Sequence, residues 1–138
     1  MNAVLHLRVA GALLLLLAAA NLTFPRRFGW KEELARVSLF TRQVFFVHAG
    51  FIILTLGLFG VLSLLYAEEL TAPGPLAVPV LVGLTTFWFA RLVTQFLIYD
   101  STLWRGNRFR TAAHVAFSGL WVYLVAVYGS ALMHHWRG

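Results

Sequence analysis

Two histidines, an arginine, a glutamine and a tyrosine stand in or beside long apolar runs of this sequence: His48, His114, Arg91, Gln95 and Tyr99, with Trp88 nearby. Imidazole nitrogen can ligate a haem iron or exchange a proton. Guanidinium and amide groups can bind a carbonyl or an anion, and an indole can wall a flat ring. Arg91 is the most informative of the set. It lies well inside the apolar stretch 76–99, where a charged side chain costs about 2.5 to 3.5 kcal/mol at a helix centre unless it faces protein, water or a bound group. Asp100 is nine residues away, more than about 13 Å along a straight helix. No other acid lies inside an apolar run. The partner of Arg91 is therefore expected among uncharged acceptors, water, a bound anion or another chain, and most of all outside the chain.

The elements that must position these groups are helices in a membrane. Of the 138 residues 60% are hydrophobic and 12% charged, with a mean hydropathy of +0.79, whereas a soluble domain is nearer 45–50% apolar. Stretches 4–24, 44–66, 76–99 and 111–133 each supply the roughly 20 residues a spanning helix needs. They predict an all-α fold: one transmembrane domain over 1–138, an integral membrane four-helix bundle running up-down-up-down. The first stretch also has the basic start, leucine core and Ala18, Ala19 and Ala20 of a secretory signal, with cleavage conceivable before Asn21.

Between the first two spans, Trp30, Leu34, Val37, Thr41 and Val44 recur at helical spacing opposite Lys31, Glu32, Arg36 and Arg42. That pattern predicts an amphipathic helix in the membrane interface before the second span. On helical wheels Gly50, Gly57 and Gly60 fall opposite His48, and Ala116, Gly119, Ala126 and Ser130 fall opposite His114. Such faces admit close helix contacts and leave the histidines pointing into the bundle.

The formal charge of +6 would suggest nucleic acid in a soluble protein. Here the basic residues flank apolar spans, so the expected partner is the lipid bilayer and no nucleic acid. Arg26, Arg27, Lys31, Arg36 and Arg42 lie in 25–43, and Arg105, Arg108 and Arg110 in 100–110. The positive-inside rule puts both loops in the cytoplasm and both termini outside, in a membrane such as the bacterial inner membrane. The lack of cysteine excludes disulfides, thiolate metal sites and thiol redox chemistry.

With that topology, His48, His114, Arg91, Gln95 and Tyr99 share the cytoplasmic leaflet. One expectation is haem b, its iron held by His48 and His114 and its propionates met by Arg42, Arg108 or Arg110. A second is a quinone or similar amphipathic ligand. Arg91, Gln95, His48, His114 and Tyr99 would be its donors, and Trp88 and Phe87 a wall on the Arg91 face with Leu84. A third is a non-catalytic accessory subunit bound to other membrane subunits or to copies of itself. His6, His134 and His135 could face one another at the outer edge as a second site.

Transport is a further alternative. Gly83, Leu84, Thr85, Thr86 and Phe87 resemble a stretch in the third helix of small dual-topology fluoride channels, which are also four-span proteins of this size. The second span lacks the asparagine of that family, and the charge bias opposes dual insertion, so the chain is not assigned to it. No hydrolase triad, phosphate loop or zinc-site spacing is present. The reading taken forward is a small membrane component of an electron-transfer or quinone-linked system.

Overall fold

A computed structural model describes residues 2–98 and 106–138. Tyr99, Asp100 and the turn as far as Arg105 lie outside the described residues. Those described form seven helices and no strand: α1 (Ala3–Asn21), α2 (Phe24–Arg27), α3 (Trp30–Leu34), α4 (Leu39–Leu65), α5 (Ala67–Thr71), α6 (Ala77–Leu97) and α7 (Arg108–Arg137). Four of them, α1, α4, α6 and α7, are long and apolar enough to cross a membrane. Their 19, 27, 21 and 30 residues extend about 28, 40, 31 and 45 Å, against a hydrocarbon core of about 30 Å. The four apolar stretches are thus four helices, as expected.

Helix boundaries depart from the apolar runs where a cap decides them. α4 begins at Leu39 because Ser38 Oγ accepts the Thr41 amide N–H at 3.2 Å, satisfying a first-turn donor. α7 begins at Arg108 because Asn107 Oδ1 accepts the Arg110 amide N–H at 3.1 Å. The segment expected as one amphipathic helix is divided: α3 ends at Leu34 and α4 starts at Leu39, with residues 35–38 between them not helical. Gly29 adopts φ 65°, left-handed backbone that only glycine takes without steric cost, and it separates α2 from α3. Beyond the break, the Trp30 ring meets Phe45 edge-on at 4.9 Å.

The chain divides into two units. In the unit Leu7–Ala67, α1 and α4 touch through glycines. A Cβ at Gly11 would lie 2.6 Å from Leu64 N and 2.7 Å from the Gly60 carbonyl oxygen. One at Gly60 would lie 2.8 Å from Leu15 Cγ and 3.0 Å from the Gly11 carbonyl oxygen. Gly50 and Gly57, expected to act alike, have nothing within 4 Å of that position. Close backbone approach is confined to one crossing.

The other unit joins the residues up to His6 with Glu68–Gly138. In it α6 and α7 pack antiparallel. The Gln95 side chain bonds to His114, Trp88 stacks on Trp121, and Thr85 lies beside Gly129. Leu81, Trp88 and Gln95 on α6 recur every seven residues, as do His114, Trp121 and Tyr128 on α7. That is the period of an interlocked helix seam. Ala116, Gly119, Ala126 and Ser130 occupy the exposed side of α7. The histidines near the ends of α1 and α7 have local roles: His6 Nδ1 bonds Tyr123 Oη at 2.9 Å, and His135 Nε2 donates to the Leu70 carbonyl at 2.7 Å.

Candidate functional site

The polar residues of α6 and α7 converge on one amide. Gln95 is 5% exposed, so its amide must find partners inside the protein. Arg91, one turn earlier on the same helix, donates from Nη1 to Gln95 Oε1 at 3.3 Å. Trp121 of α7 donates from Nε1 to the same oxygen at 3.4 Å. At the other end of the amide, Gln95 Nε2 and His114 Nδ1 are 2.8 Å apart.

The direction of that last bond follows from the first two. Guanidinium and indole nitrogens only donate, so the atom both of them reach has to be the amide oxygen. The remaining amide atom is then an NH₂ group, which donates. His114 Nδ1 must accept, and the neutral ring carries its hydrogen on Nε2. The same logic gives the opposite tautomer at His48. Its Nδ1 lies 2.8 Å from the Val44 carbonyl oxygen of its own helix, which can only accept, so Nδ1 there carries the hydrogen.

Aromatic rings back the network. Trp88 and Trp121 stack with centroids 5.3 Å apart and planes 13° from parallel, and Phe117 continues the stack beyond Trp121 at 5.8 Å and 12°. The Arg91 guanidinium carbon lies 4.8 Å from the centre of the Trp121 ring, a cation–π contact contributing about 0.5 to 2 kcal/mol. Phe96 meets the His114 ring edge-on at 6.0 Å.

Of the residues predicted for the site, Arg91, Gln95, His114 and Trp88 come together. His48 belongs to the other unit and is exposed. Tyr99 lies outside the described residues. The expectation that Arg91 finds its partner outside the chain is corrected, because Gln95 and Trp121 receive it. Phe87 is 42% exposed, and its ring and that of Trp88 meet in a T-shaped pair with centroids 5.0 Å apart. Phe87 and Trp88 lie four and three residues before Arg91, so both stand on its side of α6. Trp121 and Phe117 were not anticipated. Their signal was present, since they lie seven and three residues after His114 and therefore on its face.

Neither α6 nor α7 contains an aspartate or glutamate. Among the described residues no group of three or more His, Asp or Glu side chains gathers as a metal cluster. Comparison with family models, curated proteins and solved structures finds no match to this chain, so the site is read from its own geometry.

Proposed function

We propose that this chain is a small multi-pass membrane component of an electron-transfer or quinone-linked system, holding the head group of a quinone-like ligand beside Arg91, Gln95 and His114. The observation that carries the reading is the Arg91–Gln95–His114–Trp121 network, built between two spans that are otherwise apolar. A flat ring with carbonyl oxygens needs N–H donors at its polar ends and aromatic surface along its body. Arg91 and His114 are the half-buried members of the network, beside the indole stack. In this reading the chain runs up-down-up-down, with 25–43 and 100–110 on the cytoplasmic side, which places the network in the cytoplasmic leaflet.

The hydrogen-bond direction at His114 favours this ligand over haem b. An iron ligand needs a nitrogen lone pair, whereas His114 uses its lone pair on Gln95 and carries hydrogen on Nε2. A haem held by His48 and His114 would require His114 to leave the amide. The exposed Ala116, Gly119, Ala126 and Ser130 face of α7 favours a second reading, an accessory subunit packed on a neighbouring helix, because small residues let backbones approach in lipid.

The test is extraction of the chain purified in mild detergent. Near-stoichiometric quinone in the wild type, reduced several-fold in Arg91→Ala, is the expected result. A quinone-free preparation with a Soret band that disappears in His114→Ala would replace this reading with haem. A ligand-free chain that is stable only with another polypeptide would replace it with the subunit.

A further inference from the structure

Every acceptor atom of the network is engaged. Gln95 Oε1 has two lone pairs and receives two donors, Arg91 and Trp121. His114 Nδ1 has one lone pair and receives Gln95 Nε2. Arg91 and Trp121 carry no acceptor nitrogen, and α6 and α7 contribute no carboxylate. Whatever hydrogen bond the network makes to an outside group must therefore be donated by the protein.

The amide also transmits this constraint. For His114 to present an acceptor at Nε2, its hydrogen would have to move to Nδ1. Gln95 would then have to turn its oxygen toward His114 and its NH₂ toward Arg91 and Trp121, setting donor against donor twice. The buried amide thus holds the imidazole in one tautomer, as a positioning residue acting through His114.

Resting on the quinone reading above, we infer that the site selects the redox state of its ligand: it binds the oxidised quinone in preference to the quinol. A quinone carbonyl only accepts and is matched by an N–H. A quinol hydroxyl must also donate, and among the described residues of this network it meets no acceptor. A hydroxyl left unmatched away from water weakens binding by roughly tenfold or more. The chain is then a holder of oxidised quinone, with lower affinity for the quinol.

The experiment uses the full chain in lipid nanodiscs. The affinity of a short-chain benzoquinone is measured by calorimetry and compared, under anaerobic conditions, with that of the same compound reduced to its quinol. Nitrogen-15 NMR of labelled histidine reads the His114 tautomer. The expected result is roughly tenfold tighter quinone binding, with hydrogen on Nε2. Gln95→Glu should bring the ratio toward one, because a carboxylate accepts from Nδ1–H and reverses the tautomer. Equal or tighter quinol binding, or hydrogen on Nδ1 in the wild type, overturns the inference and leaves the quinone site standing. Binding of neither form overturns the quinone reading itself, and the inference with it. The wild-type comparison decides the matter if Gln95→Glu does not fold.

Discussion

Gln95 and His114, nineteen residues apart on different helices, are joined by a 2.8 Å bond in which the glutamine is the donor. The direction is imposed from the far end of the amide, where Arg91 and Trp121 both require oxygen. One side chain thus accepts from the half-buried arginine, orients the histidine and ties α6 to α7.

The coupling between Arg91 and Gln95 is measurable by a double-mutant cycle with Arg91→Met and Gln95→Leu, followed by reversible unfolding in mixed micelles. Polar pairs between membrane helices couple by about 0.6 kcal/mol on average and up to about 1.7 kcal/mol. A value toward the upper end is expected, since one partner is cationic and the other is buried. Additive single effects would show that the 3.3 Å contact carries no energy.

The four glycines of α1 and α4 named above should separate into two classes under substitution by alanine. Gly11→Ala and Gly60→Ala place a methyl within 3 Å of atoms across the crossing, backbone atoms at Gly11 and the Leu15 side chain at Gly60. Each should destabilise by about 1 to 3 kcal/mol, with Gly11→Ala the more severe because backbone cannot rotate away. Gly50→Ala and Gly57→Ala meet nothing within 4 Å and should be neutral or stabilising by up to about 1 kcal/mol. Thermal unfolding in detergent of all four variants checks the ordering.

The caps give a third test. Ser38→Ala and Asn107→Ala each remove an acceptor from a first-turn amide, at Thr41 and Arg110 respectively. Each should cost about 0.5 to 2 kcal/mol. Amide hydrogen exchange should accelerate in the first turn of α4 or α7 alone, and exchange spreading along the whole helix would contradict a local capping role.

Four helices long and apolar enough to span a membrane were legible because about 20 consecutive apolar residues leave a chain few other options. Their ends were not, because Ser38 and Asn107 act through one local hydrogen bond each while composition averages over a window. The break at residues 35–38 was hidden for the same reason, since the helical spacing of Trp30, Leu34, Val37, Thr41 and Val44 says nothing of the backbone between them. Arg91, Gln95 and His114 were legible as polar exceptions in apolar runs. Trp121 was not, because a tryptophan among apolar residues is no exception and its role depends on the register between two helices. His48 looked equivalent to His114 by its distance from a helix start, yet it bonds its own backbone, a choice invisible to spacing.

The contact of Gly11 with Gly60 has a mechanical consequence. At Gly11 no side chain stands between the helices, and the Gly60 carbonyl and Leu64 amide bar any closer approach, with Leu15 packed over Gly60 as the one side-chain tooth beside that point. The crossing is a fulcrum. Strain applied to α1 or α4 will be expressed as a change in the angle between them about the Gly11–Gly60 point and not as a change in their separation there.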